Sequence, residues 1–410
     1  MPARASDVDA CPGALRLHAA ADGPLARVRL PGGLLTGPRL AVLAGLAAAF
    51  GDGHLELTSR ANVQLRGLRS ADPTVLAARL AAAGLLPSET HETVRNIAAP
   101  PLADATVRAL VEELDRGLCA TPALAALPGR FLFAIGEVPL TADLTALPAP
   151  AGADATLLFA GHDLGLRVPA GQVVPALLAA AGVFLTERAA ATPGAPAWRL
   201  HELADGPARV AGRTTAALGR RLVPPPDGAG TDDAGTTGAG TTGGAGDGLA
   251  IGVLPQADGL VAVSALVPLG RLGGEALRLL STASRVVVTP GRGVVVPDLT
   301  PEAARRWAHA LGEAGLAVEG TSRWVGVTAC AGRPGCAKSL ADVRADADHT
   351  SAYVDGRPVH WIGCARGCGS PSVPHVRVEA TPTGYAVTRQ PDGETFTGDP
   401  AHAVAAARRN

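Results

Sequence analysis

Hydrophobic and polar residues alternate cleanly from His54 to Arg66, in the run HLELTSRANVQLR. Leu55, Leu57, Ala61, Val63 and Leu65 fall on one face. Glu56, Thr58, Arg60, Asn62, Gln64 and Arg66 fall on the other. That is the period of a strand with one side on a core. Upstream, within Pro31–Leu68, a glycine-bearing turn leads into an apolar helix of about three turns, and the strand follows it. The same order recurs in Val267–Leu299, VPLGRLGGEALRLLSTASRVVVTPGRGVVVPDL. We read the two stretches as a duplicated α+β unit. In the second copy, the strand around Val286–Val296 has Thr289 where the first has Thr58, and Gly291 where the first has Arg60. The duplicate therefore lacks the arginine row, and one working site for two copies of the fold is the expectation.

Behind each copy the pattern is mixed. The first is followed by a helix near 102–117, strands at Arg130–Ile135 and Ala155–Phe159, and a helix around 174–184. After the second comes a helix, Pro301–Ala314, whose proline suits a first turn. A strand at Trp324–Thr328, a helix from Cys336 to Arg344, and strands at Val359–Ile362 and His375–Glu379 complete the reading. Residues 224–248, PPPDGAGTDDAGTTGAGTTGGAGDG, can form no core and read as a flexible coil.

With 410 residues the chain has room for two to four domains. A net charge of -1 gives no global field toward nucleic acid or a membrane. The start, MPARASDVDACPG, lacks the apolar core of a signal peptide. The longest uncharged stretch, Val168–Thr186, contains Pro169, Gly171, Gln172, Pro175 and Gly182, and reads as a soluble helix beside a turn rather than a membrane span. A cytoplasmic monomer is expected, with thiols reduced and open to metal.

Of six cysteines, Cys11 and Cys119 stand alone. The others form one pattern, Cys330-x5-Cys336 in TACAGRPGCAKS and Cys364-x3-Cys368 in WIGCARGCGSP. Four clustered thiolates suit an iron–sulfur cluster or a tetrahedral metal site. Gly332, Gly335, Gly363, Gly367 and Gly369 would let backbone N–H groups approach the sulfurs. Structural zinc sites use tighter loops than the x5 spacing, so a [4Fe–4S] cluster is the leading reading and zinc the rival. Lys338 and Arg366 lie near in sequence as counter-charges. On the alternating face, Arg60 and Arg66 suit planar carboxylates through paired hydrogen bonds. Arg95, in HETVRNIAAPP, and Arg130, in LPGRFLFAI, add further positive points.

TSRANVQLRG, VRNIAAPP, TACAGRPGC and GCARGCG together resemble the nitrite/sulfite reductase superfamily over nearly the whole chain outside 224–248. The resemblance implies an α+β fold with two ferredoxin-like halves, 1–75 and 249–315. It also implies two larger α/β domains, 85–220 and 320–410, the latter carrying the cysteines. It implies that Cys330, Cys336, Cys364 and Cys368 ligate a [4Fe–4S] cluster, Cys368 lying closest to a bound tetrapyrrole, which in the reductases is sirohaem. Arg60, Arg95 and Arg130 become the catalytic candidates. Thr58, Arg60, Asn62, Gln64, Arg66 and Arg95 become the substrate-binding set.

The reductases carry an Arg-Lys-Phe-Lys run where this chain has Gly129, Arg130, Phe131 and Leu132. A leucine in place of a lysine weakens charge stabilisation of a small bound anion. The resemblance thus turns from sulfite toward the branch whose substrate is itself a sirohaem-like macrocycle, precorrin-3A. There it implies an oxygen-dependent monooxygenase fed by NADH or a reduced partner protein, and a mononuclear non-haem iron with His54, His91 and His162 as candidate ligands. A sirohaem-dependent sulfite or nitrite reductase is the alternative. A non-catalytic zinc or tetrapyrrole-binding protein is a third reading.

Overall fold

The computed structural model describes residues 11–150, 153–191, 197–223, 249–257, 259–371 and 373–409. The coil expected at 224–248 lies outside them. The chain forms two compact units, each assembled from separated stretches. One takes the described parts of 1–14, 28–33 and 84–238, and the other takes 15–27, 34–83 and 239–410.

In the first unit one mixed sheet runs in sequence order. Ile97–Ala98, Phe133–Ile135 and Leu144–Leu147 are parallel, and Ala155–Phe159 and His162–Val168 continue the sheet antiparallel. Helix Ala105–Cys119 connects the first two strands, its first turn closed by Asp104, which accepts from the Val107 N–H at 2.8 Å. Helix Val173–Ala190 is long and apolar enough by composition to cross a membrane. It packs instead against Ala105–Cys119, strand Leu144–Leu147 and helix Gly206–Ala217. Its one buried acid, Glu187, is paired with Arg209 and Arg213 of the last of these.

The second unit contains the duplicated element. Sheet Ala26–Val28, Val63–Leu65, His54–Leu57, Arg271–Gly273 belongs to the first copy except for its last strand. Sheet Gly252–Pro255, Val261–Leu266, Gly293–Leu299, Val286–Val288, Leu34–Leu35 belongs to the second, again except for its last. The copies exchange an edge strand: Leu34–Leu35 pairs with Val286–Val287, and Arg271–Gly273 pairs with His54–Glu56. Helices Gly37–Phe50 and Gly274–Leu280 pack together. Gly37 enters where a Cβ would stand 2.3 Å from the Ala283 carbonyl, so only glycine fits.

The run from His54 to Arg66 is not one strand. It is a hairpin, His54–Leu57 and Val63–Leu65, with Glu56 facing Gln64 across the pair. Thr58 makes the turn: its N–H donates to Asn62 O at 2.9 Å, and its Oγ1 accepts from Asn62 N–H at 3.1 Å. Ala61 takes a left-handed φ of 56°. The alternation persists because residues opposite each other in an antiparallel pair share a face. The second copy repeats the turn at Thr289–Gly293, with equivalent bonds of 3.0 and 3.1 Å and Arg292 at φ 61° in the place of Ala61.

The C-terminal part of this unit is a third sheet, ordered Val327–Ala329, Val359–Ile362, His375–Thr381, Gly384–Gln390, Thr395–Phe396. Its first three strands are parallel and the rest antiparallel, the same order as in the first unit. Val327, Val343, Trp361, Val376, Val378 and Val404 meet in its core. The helix expected over Cys336–Arg344 begins only at Val343, after Asp342, whose side chain accepts from Ala345 N–H at 3.2 Å. Residues before it spend their backbone groups elsewhere: Leu340 N–H donates to Gly363 O at 2.8 Å and Arg333 N–H to Ala341 O at 3.0 Å. With those groups bonded across the loops, a helical i to i−4 ladder cannot close. The strands expected at Arg130 and Trp324 start later, at Phe133 and Val327.

Candidate metal and ligand site

Both cysteine loops leave the carboxyl ends of adjacent parallel strands. Ala329 is in register with Trp361; Cys330 opens the first loop, and Gly363 opens the second once that strand ends at Ile362. In open α/β sheets that edge is where ligands bind, because the loops there fan apart over a crevice. Cys330 is fixed by its N–H to Trp361 O at 2.9 Å, and Cys336 by its N–H to Gly332 O at 2.8 Å. Gly363 N–H donates to Cys330 Sγ at 3.3 Å, the kind of amide–sulfur contact that stabilises a thiolate. Gly332, Gly367 and Gly369 have φ of 63°, 59° and 82°, so the loops turn where a side chain would be strained.

All four thiols are free of disulfides. Partial desolvation pushes the Cys368 thiol up, and Cys330, Cys364 and Cys336 push the same way by charge repulsion, against Arg366. Cys368 thus sits within the field of the other three sulfurs. Among the described residues no three His, Cys, Asp or Glu side chains converge on a single-ion position. A four-iron cube takes one thiolate at each corner iron and so holds its ligands further apart than one ion does. Free thiols on two loops at a strand edge, one of them accepting from a backbone N–H, fit that group. Lys338 and Arg366 are both exposed.

His360 lies beneath Cys368, buried completely. Its Nδ1 meets Thr328 Oγ1 at 2.8 Å, and its Nε2 meets the Cys368 carbonyl at 3.0 Å. A carbonyl only accepts, so Nε2 carries the proton and Nδ1 receives the Thr328 hydroxyl hydrogen. Burial pushes its pKa down to about 4, with Arg292 and other cations adding to the shift. The ring is a neutral strut under the last cysteine.

The arginine-bearing hairpin belongs to the same unit, and its polar groups are largely engaged. Thr58 and Asn62 form the turn. Gln64 is half-buried opposite Glu56. Arg66 is gripped by Asp22 at 2.9 and 3.0 Å and donates to Gly335 O at 2.9 Å, bracing the first cysteine loop. Burial disfavours its charge, but the Asp22 bonds and the fields of Glu56, Asp22 and Asp52 prevail, so its pKa is raised. Glu56 accepts from Arg344 at 2.6 Å, and Arg344 donates to the Cys330 carbonyl at 3.2 Å. Arg60 stands at the hairpin tip, half-buried.

Arg95 and Arg130 belong to the other unit. Arg95 is buried and spends its guanidinium on Asp115, at 2.7 and 2.6 Å. Arg130 stacks on Trp198, 5.2 Å from the ring centroid. Leu132 is packed with Ala98, Ala134 and Ala142. Of the histidines, His54 bonds the Asp52 carbonyl at 2.9 Å and Arg271 at 3.2 Å. His91 uses both ring nitrogens, on Ser88 and Thr90 and on the Thr121 carbonyl. His162 is exposed at the start of its strand.

Sequence reasoning passed over Arg344, Asp22 and His360, whose contacts are non-local. It also passed over Arg292. The second hairpin does have an arginine, one position after Gly291, and the left-handed turn position it shares with Ala61 was the signal.

Comparison with known proteins agrees with this picture. Residues 18–83 match the nitrite/sulfite reductase ferredoxin-like half domain. The precorrin-3B synthase of a Sinorhizobium species is 28% identical over 404 residues, 92% of this chain and 82% of the relative. The ferredoxin–nitrite reductase of Leptolyngbya laminosa is 37% identical over 94 residues, covering 22% of this chain and 18% of that protein. The structure of the Mycobacterium tuberculosis NirA protein superposes with a TM-score of 0.69 at 19% identity, over 93% of this chain and 79% of that one, so the fold is shared.

Proposed function

We propose that the chain is a member of the nitrite/sulfite reductase superfamily and, within it, a precorrin-3B synthase. The observation that carries the reading is the pairing of four free cysteines at a parallel-strand edge with an arginine-bearing hairpin in the same unit. Full-length similarity to a protein named for that activity supports it.

In this reading the substrate is precorrin-3A, a macrocycle rimmed with carboxylates. One oxygen atom of O2 becomes a hydroxyl at C20 and the other leaves as water. NADH or a reduced partner protein supplies two electrons, and an acetate of ring A closes to a lactone. When bound at Cys330, Cys336, Cys364 and Cys368, a [4Fe–4S] cluster supplies single-electron transfer. Arg60 would orient substrate carboxylates by charge-assisted hydrogen bonds. Arg66 and Arg344 hold the first cysteine loop from behind. His360 keeps the Cys368 backbone in place. Leu132 stands where the reductases' basic run has a lysine, and the loss of that charge in the sequence supports a macrocyclic substrate over sulfite or nitrite.

Anaerobically purified protein, given precorrin-3A, a reductant and 18O2, is expected to form a product carrying one labelled oxygen. Tightly held sirohaem with turnover of sulfite or nitrite, and none of precorrin-3A, would establish the reductase alternative instead. The short matches to ferredoxin–nitrite reductases are what keep that second reading in view.

A further inference from the structure

Arg292 is an arginine placed at a cost. Its φ of 61° lies in the left-handed region, where a long side chain is disfavoured by roughly 1 kcal/mol or more and glycine or asparagine is usual. Two glycines clear its path. A Cβ on Gly270 would stand 2.8 Å from Arg292 Cδ, and one on Gly369 would stand 3.2 Å from Arg292 Nη2. Both glycines have positive φ themselves, 70° and 82°. The guanidinium therefore arrives beside Gly369, next to Cys368, on the side of the second cysteine loop where His360 also lies.

Nothing among the described residues receives it. Its backbone makes the hairpin turn, but no carboxylate or carbonyl accepts from its guanidinium. The nearest source of negative field, Glu56, is taken by Arg344 at 2.6 Å and faces Arg66 at 3.7 Å. Three carboxylates, Asp22, Glu56 and Asp52, stand against four guanidiniums, Arg66, Arg344, Arg271 and Arg292, leaving one positive charge in excess. Burial and the repulsion of Arg344 lower the pKa of Arg292, which marks it as a poorly compensated cation. Such a group is costly unless an anion completes it.

We propose that Arg292 is a carboxylate-binding residue of the ligand site, receiving an acidic side chain of a macrocycle that lies over the Cys364–Gly369 loop. It replaces, from the second copy of the fold, the arginine that Gly291 does not supply. This inference rests on the tetrapyrrole reading above. The guanidinium lies at Gly369, beyond the last cysteine, whereas the amide contact to sulfur comes from the start of the loop, at Gly363. A ligand carboxylate is accordingly its partner, rather than the cluster.

The test is a fluorescence titration with uroporphyrin, a stable macrocycle with eight carboxylates, on anaerobically prepared wild type, Arg292→Gly and Arg292→Lys. Glycine relieves the backbone at φ 61°, so the first variant should fold with an unchanged or higher unfolding midpoint. Its affinity for uroporphyrin should fall about tenfold or more, which is ~1.4 kcal/mol. Lysine keeps the charge and loses the fork, and should fall in between. Iron and sulfide content should match wild type in both. Equal affinity of wild type and Arg292→Gly would overturn the assignment while leaving the tetrapyrrole reading standing. Loss of iron and sulfide in Arg292→Gly would overturn it by assigning the cation to the cluster. Failure of the wild type itself to bind uroporphyrin would remove the tetrapyrrole reading and this inference with it.

Discussion

Replacing Gly363 with alanine tests how tightly the two cysteine loops must clasp. Gly363 is buried, its N–H donates to Cys330 Sγ at 3.3 Å, and its carbonyl accepts from Leu340 at 2.8 Å. A Cβ there would stand 1.8 Å from Ser339 Oγ and 2.6 Å from Ser339 Cβ. Ser339 is 1% exposed and its hydroxyl donates to Ala341 O at 2.7 Å, so rotating it away breaks a bond and still leaves the Cβ contact. One loop must therefore move. Overpacking of this kind costs about 1–3 kcal/mol. Losing the Ser339 or Leu340 hydrogen bond adds about 1 kcal/mol. We expect Gly363→Ala to lose about 2–4 kcal/mol in urea unfolding of anaerobically prepared protein, with a parallel drop in bound iron and sulfide. Adding Ser339→Gly removes the two shortest contacts, leaves the Cα of residue 339 at 3.1 Å from the new methyl, and should restore most of both. A Gly363→Ala protein with wild-type stability and iron content would refute the reasoning that these loops are locked by that contact.

Two further substitutions probe the charges around the site. Glu56→Gln leaves Arg344 and Arg66 without the acid they share, and breaking a buried pair on one side costs on the order of 3–5 kcal/mol. A lower unfolding midpoint is expected by urea titration, and an unchanged midpoint would show that the pair is solvated. Arg60→Ala should weaken uroporphyrin binding by about tenfold, ~1.4 kcal/mol, without altering iron content, read by titration and metal analysis. Unchanged affinity would remove Arg60 from the ligand site.

The cysteine spacing, the duplicated helix and the strands Ala155–Phe159 and Val359–Ile362 could be read directly, because each depends on residues close in the chain. The hairpin at 54–65 was harder to see. An antiparallel turn preserves alternation, and only the Thr58 hydroxyl and the left-handed Ala61 distinguish it from a continuous strand. The exchange of Leu34–Leu35 and Arg271–Gly273 between copies rests on strands of two and three residues, too short for periodicity to register. The segment before Val343 is composed like a helix but folds as turns, since its backbone groups are claimed by Gly363 and by its own loop. Arg66 shows the same limit at a side chain. Its position on a polar face was evident, but its commitment to Asp22 and Gly335 depends on residues 44 and 269 positions away.

The most direct measurement is iron and acid-labile sulfide per chain in anaerobically purified protein, wild type beside Cys364→Ser. The account predicts about four of each in the wild type and their loss in the variant. A single zinc with no labile sulfide, or equal iron in both proteins, would contradict it.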